Sequence, residues 1–309
     1  MSRFKYSLDN KRYHTLNYFY KTKYDCKVFK ISLDAGFSCP NISDSGKGCI
    51  YCDKNGSAAF PEVKSENLLS QFDHAKKIMN KKWNGKFIGY FQAHSNTFAP
   101  IDELKEKYEL ILGLDDVIGL TIATRSDALN DETLEYLSDL NKRCDLTIEL
   151  GLQSIKKETT ELINRGHSLK CFDDMVGELK SRKINVCVHI INGLPYENEE
   201  DMLKTVDHLN LLGINGIKIH MLYIEEGTEL AVLYRRESFR VLTKEEYIDI
   251  VIKQLEVLDE KIVIHRITGD PNADVLIAPT WLVKKTDLLN SIDKEMVKRD
   301  TFQGRLSTR

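Results

Sequence analysis

Residues 28–52 read VFKISLDAGFSCPNISDSGKGCIYC, and this stretch joins a predicted β-strand directly to three cysteines. The β-rich run Val28–Asp34 predicts the strand. Cys39, Cys49 and Cys52 follow within 14 residues, in a loop rich in glycine, serine and asparagine. A loop of this composition can bring three thiolates to one point. We therefore expect a metal centre at the end of the first strand.

Further strands follow at intervals of about 30 residues, the length of a βα unit with its crossover. The predicted strands are Val28–Asp34, Lys86–Gln92, Val117–Thr124, Leu146–Gly151, Asn185–Asn192 and Gly216–Leu222. Near-continuous apolar runs such as Val117–Ala123 are typical of parallel strands that are covered on both faces. Amphipathic helical stretches lie between them. One follows Asn130 and aligns Leu134, Leu137 and Leu140, and another aligns Met202, Val206 and Leu209 before Gly213.

This alternation predicts an α/β fold, a partial (β/α)6 barrel of the TIM type. We expect residues 1–27 to form a basic and aromatic N-terminal arm and residues 28–260 to form the barrel. Residues 261–309 are expected to form a short C-terminal extension that packs on the barrel, with Lys261–Ile267 as a last strand.

Composition excludes several classes of protein. With 42% hydrophobic residues and a net charge of −3, the chain is neither disordered nor globally basic. No apolar run approaches the ~18 residues of a membrane span, and the N-terminus lacks a secretory signal. We therefore expect a soluble cytoplasmic protein without a membrane partner. Seven cysteines, an odd number, argue against a disulfide framework and for reduced thiols.

The cysteine spacing favours an iron–sulfur cluster over zinc. Structural zinc usually takes four ligands from two paired knuckles, whereas this loop has one C-x2-C pair and one distant third cysteine. Three thiolates suit a [4Fe–4S] cluster in which one iron stays open. The alternatives to a cluster are a zinc site and cysteines that only fill the core. The remaining four cysteines are scattered and are expected to be small buried hydrophobic residues: Cys26, Cys144, Cys171 and Cys187.

Polar residues mark the ends of the predicted strands, where parallel barrels carry their active sites. Besides the cysteine loop, they comprise Gln92–Thr97, Thr124–Asp127, Glu149–Ser154, His189, and Lys218 with His220. From the residues alone, two structural alternatives remain open. One is that Arg165 pairs with Glu161 or Glu149, and the other is that His189 is a core histidine.

Together, these motifs resemble the radical S-adenosylmethionine (SAM) superfamily. The spacing C-x9-C-x2-C, with Glu149–Ser154 and Asn164–Ser168, resembles the catalytic subunit of Elongator. The similarity is greater to the YtqA/YhcC group and covers nearly the whole chain, including Lys11–Tyr18, Tyr90–Thr97 and His265–Asp270.

The resemblance implies the cofactors and their ligands. Cys39, Cys49 and Cys52 would hold a [4Fe–4S] cluster whose open iron binds SAM, and reductive cleavage of SAM would give a 5′-deoxyadenosyl radical. A reductant such as flavodoxin or ferredoxin would supply the electron. The residues implied to contact SAM are Tyr51 at the adenine, Ser95, Asn96 and Thr97 at the methionine part, Gln153 and His189 at the ribose, and Arg165 at the carboxylate. Catalytic roles are predicted for Glu149, Lys218 and Arg125.

The N-terminal arm suggests an RNA substrate. Residues 1–30 hold eight aromatic and eight basic residues, interleaved, against two aspartates. Aromatic rings can stack on bases, and basic groups neutralise phosphates. The residues predicted to bind RNA are Lys11, Arg12, Tyr13, Lys21 and Lys23. The alternative is that the aromatic residues dock the arm on the barrel.

The resemblance also implies the reaction. Elongator-type enzymes act on the wobble uridine of tRNA, and the YtqA group is linked to the same base. The sequence runs for about 50 residues beyond the predicted barrel, too few for an acetyltransferase domain. We therefore expect removal of part of an existing substituent, carboxymethylaminomethyl to aminomethyl, before a separate SAM-dependent methyltransferase acts. The alternatives are a radical SAM enzyme for a small metabolite and a non-catalytic iron–sulfur or zinc protein that binds RNA.

Overall fold

The computed structural model describes residues 4–7, 9–52, 67–80, 85–237 and 239–307. The strands are β1 (Val28–Leu33), β2 (Lys86–Phe91), β3 (Val117–Thr124), β4 (Asp145–Gln153), β5 (Asn185–Asn192), β6 (Gly216–Met221), β7 (Ile224–Glu225), β8 (Val263–Arg266) and β9 (Leu276–Ala278). The helices are α1 (Leu16–Tyr24), α2 (Pro40–Ser45), α3 (Leu68–Asn80), α4 (Ile101–Leu112), α5 (Asp131–Asn141), α6 (Lys157–Leu162), α7 (Leu169–Ser181), α8 (Glu199–Leu212), α9 (Glu229–Glu237), α10 (Lys244–Val257) and α11 (Lys285–Lys298).

Seven strands form one parallel sheet in the order β1-β2-β3-β4-β5-β6-β8. Each strand from β2 to β6 lies beside its predecessor, and β8 lies beside β6. The sheet curls into a half-barrel whose two edges are β1 and β8. The predicted partial barrel is confirmed. The seventh strand, β8, lies beyond residue 260, so the sheet continues into the segment predicted as the C-terminal extension. A separate antiparallel pair, β7 and β9, follows the main sheet.

The residues of the two predicted apolar helix faces are buried in the core. Asn130 caps helix α5 at its N-terminus, since its side chain accepts a hydrogen bond from the backbone N–H of Thr133. The three leucines of the predicted stripe in α5 are buried. Helix α8 begins with a capping box formed by Asn198 and Asp201. It ends at Gly213, which adopts φ 62°, a conformation that favours glycine. The caps therefore fix both ends of the helix that follows β5.

The N-terminal arm lies at the end of the barrel where the strands begin. Tyr24 donates a hydrogen bond to Asp145, the first residue of β4, and Lys23 lies 2.9 Å from the same carboxylate. Tyr13 is only 4% exposed, so its ring offers no surface for a base. Tyr13 and Tyr24 therefore dock the arm, as the alternative interpretation had it, and the burial of Tyr13 contradicts its prediction as an RNA-binding residue.

The basic residues of the arm are mostly engaged by neighbouring carboxylates. Lys11 pairs with Asp293, and Arg12 lies 3.0 Å from Asp300, whereas Lys21 is exposed. Residues 1–3 and 8 of the predicted arm lie outside the described residues. The five residues predicted to bind RNA thus sit at the opposite end of the strands from the cysteine loop.

None of the helices in the described residues combines the length and the apolar character that crossing a bilayer requires.

Candidate active site

The three predicted cluster ligands lie on one loop and line one cavity. Cys39 caps the short helix α2, and Cys49 and Cys52 follow it. All three line a cavity of about 240 Å³ at the carboxyl ends of the strands. The three predicted ligands therefore share one cavity, and their joint binding of a cluster stays a prediction.

A turn near residue 164 holds the cysteine loop in place. Asn41 donates to the carbonyl of Asn164 at 2.7 Å and to the Cys49 sulfur at 3.5 Å. Asn164 donates in return to the carbonyl of Gly48 at 2.6 Å, and it adopts a left-handed φ of 51°. These reciprocal bonds give Asn164, the first residue of the Asn164–Ser168 motif, a structural role beside the cysteine loop.

The donor chemistry fits an iron–sulfur cluster. A hydrogen bond from Cys52, together with the positive charge of Arg125, lowers the pKa of Cys49 to about 6, against the effect of burial. Thiolates, rather than thiols, bind iron. Three cysteines that line one cavity, one of them with a lowered pKa, fit a cluster that leaves one iron open.

A deeper group of possible metal ligands does not fit a metal ion. Ligand atoms of Glu149, Cys187 and His265 lie within 4.8 Å of one another. However, the ammonium groups of Lys30 and Lys218 contact the same carboxylate, at 3.0 and 2.6 Å. Two cations already balance this carboxylate, which opposes a third.

Of the three residues predicted at the methionine part of SAM, only Ser95 lines the cavity. Its hydroxyl is buried and has no partner among the described residues. Asn96 donates to the carbonyls of Ala93 and Ala123, at 3.0 and 2.9 Å. Thr97 donates to the carbonyl of Ala128 at 2.6 Å. Asn96 and Thr97 therefore fix the loop behind the cavity wall.

Tyr51, Gln153 and His189, which are predicted to contact SAM, line the cavity. Gln153 adopts φ 61°, at an irregularity in the pairing of β4 with β5. Its buried Oε1 atom lacks a hydrogen-bond partner among the described residues. A buried carbonyl oxygen without a donor, held by a left-handed backbone, is a candidate acceptor for a ligand hydroxyl.

Arg165 lines the cavity, but backbone carbonyls engage most of its guanidinium group. It donates to Leu152 at 2.8 Å, to Ser154 at 2.9 Å and twice to His167, at 3.1 and 2.9 Å. Four of its five N–H bonds are thus used, and the alternative pairing with Glu161 or Glu149 is wrong. Arg165 closes the turn after β4, which leaves one N–H bond for the predicted contact to a carboxylate.

Arg125 is the second cation beside the cysteines. Its guanidinium pairs with Asp127 at 2.7 Å and donates to the backbone carbonyl of Arg165 at 2.6 Å. Arg125 therefore supports the turn that carries Arg165 and adds positive charge near Cys49.

A charged network fills the interior of the half-barrel. Glu149, 1% exposed, lies 2.6 Å from Lys218, 3.0 Å from Lys30 and 2.9 Å from His189. Burial raises the pKa of Glu149, but the charges of Lys218 and Lys30 hold that pKa well below its usual range. Lys218 also donates to the Tyr90 hydroxyl at 2.8 Å.

The histidines of this interior are neutral near pH 7. Burial lowers the pKa of His189, takes that of His220 well below its ordinary value and lowers that of His265 to about 3. The sequence patterns predict no site role for Lys30, whereas His265 and Arg266 belong to the His265–Asp270 motif. A lysine in the middle of an apolar strand was the signal for Lys30.

Glu197, in the loop after β5, makes the stability of this region depend on pH. Burial raises the pKa of Glu197 to about 7, although Ser154 and Thr159 donate hydrogen bonds to it. The folded state thus holds a proton that the unfolded state has lost. Between pH ~4.5 and ~7 the free energy of unfolding should fall with rising pH, by about 2–3 kcal/mol from this group. Glu197→Gln should remove that loss.

Urea denaturation of both proteins at pH 5 and pH 8 measures this difference. Glu161→Gln, at an exposed glutamate, is the matched control. Equal pH dependence in the wild type and the Glu197→Gln variant would contradict the assignment.

Comparisons with known proteins find similarity over nearly the whole chain. The family model described as the Radical SAM superfamily matches residues 45–209, and that of the Radical_SAM C-terminal domain matches residues 214–298. The uncharacterized protein YtqA of Bacillus subtilis is 42% identical over 99% of this chain and 96% of its own length. The predicted similarity to the YtqA/YhcC group is confirmed.

Two further likenesses are more distant. The tRNA uridine(34) acetyltransferase of Methanocaldococcus infernus is 28% identical over 59% of this chain. The aligned part covers about a third (34%) of that protein. The solved structure of the Methanocaldococcus infernus Elp3 superposes with a TM-score of 0.66 at 19% identity, over 89% of this chain. The chain spans slightly less than two thirds (64%) of that structure, and the likeness shows a shared fold.

Proposed function

The chain belongs to the radical SAM superfamily, and on this premise we propose that it remodels the 5-substituent of a tRNA wobble uridine, from carboxymethylaminomethyl to aminomethyl. As a radical SAM enzyme it uses a [4Fe–4S] cluster and SAM. Cys39, Cys49 and Cys52 would hold the cluster, and Ser95 and Gln153 would contact SAM. The bound cofactors would supply a 5′-deoxyadenosyl radical, which removes a hydrogen atom from the substrate.

The observation that carries the proposal is the continuity of the cavity. The same cavity is lined by the three cysteines, at the β1 edge of the half-barrel, and by His189, Lys218 and Arg266 on β5, β6 and β8. A substituent that enters this cavity meets polar and charged groups on the side away from the cysteines. Such a wall suits a substituent with an amine and a carboxylate better than an apolar metabolite.

The relatives support a tRNA substrate. The Methanocaldococcus infernus relative is named for uridine 34 of tRNA, the wobble position, and its similarity covers 59% of this chain. Because the shared part includes more than half of this chain, we take the substrate as the common feature. The reaction proposed here differs, since it shortens a substituent that is already present.

The proposed reaction balances without an added oxidant. The N–CH2–COO⁻ carbon of the substituent loses a hydrogen atom to the adenosyl radical, and the substrate then loses one electron and the proton on nitrogen. The resulting imine takes up water and splits into aminomethyl uridine and glyoxylate. The bound cluster, which gives up one electron when SAM is cleaved, would take up the electron that the substrate loses. SAM would leave as methionine and 5′-deoxyadenosine.

His189 is the candidate acceptor of the proton on nitrogen. Its Nε2 atom lies 2.9 Å from the carboxylate of Glu149, which is ionised because its pKa is lowered. A carboxylate at this position selects the tautomer with hydrogen on Nε2, so that Nδ1 carries the lone pair. Glu149 thus orients a neutral base at the cavity wall.

Nucleoside analysis of tRNA from a strain that lacks this gene tests the proposal. We expect carboxymethylaminomethyl uridine to accumulate and aminomethyl uridine with its methylated derivative to disappear. The wild-type gene should restore the pattern, and a gene carrying Cys49→Ser should not. Unchanged wobble uridines in the deletion strain would contradict the proposed function.

A further inference from the structure

Two cations lie side by side at the edge of the half-barrel opposite the cysteines. Lys218 on β6 and Arg266 on β8 are register partners in the parallel ladder, and both side chains line the cavity. Like charges at neighbouring positions repel each other. Their juxtaposition on a cavity wall therefore calls for anions that compensate them.

The two carboxylates that contact this pair are each shared with another cation. Lys218 shares Glu149 with Lys30, and Arg266 shares Asp270 with Lys285, which lies 2.8 Å from that carboxylate. Four cations thus share two carboxylates. Lys218 is 7% exposed, where an excess charge is costly unless an anion joins it.

The pair also keeps donors for such an anion. Lys218 gives two of its three N–H bonds to Tyr90 and Glu149. Arg266 pairs with Asp270, and its side chain is 30% exposed at the cavity. An ammonium N–H beside a guanidinium fork is the donor set that binds a carboxylate strongly.

We propose that Lys218 and Arg266 form a subsite for the carboxylate of the substrate's substituent, an inference that rests on the proposed function. The subsite distinguishes substrate from product, because the reaction removes the carboxylate that it binds. The aminomethyl product keeps the ammonium group but lacks that anion, so the same cations favour its release.

Binding of two tRNAs that differ only in the carboxymethyl group tests the subsite. The reconstituted protein without SAM is titrated with tRNA that carries carboxymethylaminomethyl uridine and with tRNA that carries aminomethyl uridine. The wild type should prefer the first by about tenfold or more, the value of a charge-assisted contact. Arg266→Gln and Lys218→Gln should each reduce that preference to less than about threefold.

Matched variants separate contact from general charge and from misfolding. Lys285→Gln removes a cation that contacts Asp270 and should keep the wild-type preference. Arg266→Lys keeps the charge and should keep part of the preference. The ratio of two affinities is insensitive to a fraction of unfolded protein, which lowers both equally.

The outcomes distinguish the two proposals. If the wild type does not convert carboxymethylaminomethyl uridine under turnover conditions, the proposed function fails. If the wild type converts it but Arg266→Gln and Lys218→Gln keep the wild-type preference, the subsite is overturned while the function stands. An equal loss of preference in Lys285→Gln would likewise overturn it.

Discussion

Cys49→Ser should abolish the iron–sulfur cluster and lower the release of 5′-deoxyadenosine from SAM by at least about 100-fold. The reason is that Cys49 is one of three sulfurs lining the cavity and the one whose pKa is lowered to about 6. A serine hydroxyl does not ionise under the same conditions. Iron and sulfide content after anaerobic reconstitution, together with product release, measures the effect.

Cys144→Ser is the matched control. Cys144 directly precedes β4, at the opposite end of the strands, and it does not line the cavity. We expect the wild-type iron content and activity in this variant. Wild-type iron content in Cys49→Ser, or stoichiometric zinc in place of iron in the wild type, would contradict the assignment of the cluster.

Glu149→Gln should cost about 3–5 kcal/mol of unfolding free energy, the effect of removing one partner of a buried ion pair. The substitution leaves Lys218 and Lys30 without their shared carboxylate inside the half-barrel. Because the pKa of Glu149 is lowered, its contribution is present above the ordinary value of about 4.3 and is lost as pH falls. Denaturant titration at pH 7 measures the cost, and the difference between the two proteins should shrink at lower pH.

The double variant Glu149→Gln with Lys218→Met shows whether unpaired charge causes the loss. Removing the second charge should recover about 1–2 kcal/mol of the cost, since a buried ammonium no longer lacks a partner. Asp174→Asn breaks an exposed pair with Lys170 and should leave the unfolding free energy unchanged. If Glu149→Gln were as harmless as Asp174→Asn, the network would have no structural role.

The sequence predicted the barrel and the cysteine loop because both follow from local patterns. The strand periodicity, the helix caps at Asn130 and Gly213 and the spacing of the cysteines all operate within about 30 residues of chain. In each case the structure places the element where the pattern predicted it.

The charged interior could not be predicted in this way. Lys30 and His265 meet at Glu149 only because the sheet curls, which brings side chains from β1 and β8 to one on β4. No sequence spacing records that closure. The arm is a second example, since its charges fit RNA binding equally well until the fold places them at the far end of the strands.

Cofactor motifs also mix residues that contact a ligand with residues that hold the others in place. Ser95 lines the cavity, whereas Asn96 and Thr97, its neighbours in the same motif, bond to backbone carbonyls behind it. Arg165 similarly donates four hydrogen bonds to backbone carbonyls around the turn that carries it. The direction of a side chain decides whether a motif residue faces the cavity or supports its neighbours.

The most direct test is anaerobic incubation of the reconstituted protein with SAM, dithionite and tRNA that carries carboxymethylaminomethyl uridine. We expect 5′-deoxyadenosine, aminomethyl uridine and glyoxylate to form in equal amounts, with little 5′-deoxyadenosine when the tRNA is omitted. Release of 5′-deoxyadenosine at the same rate with and without the tRNA, while the wobble uridine stays unchanged, would contradict the account.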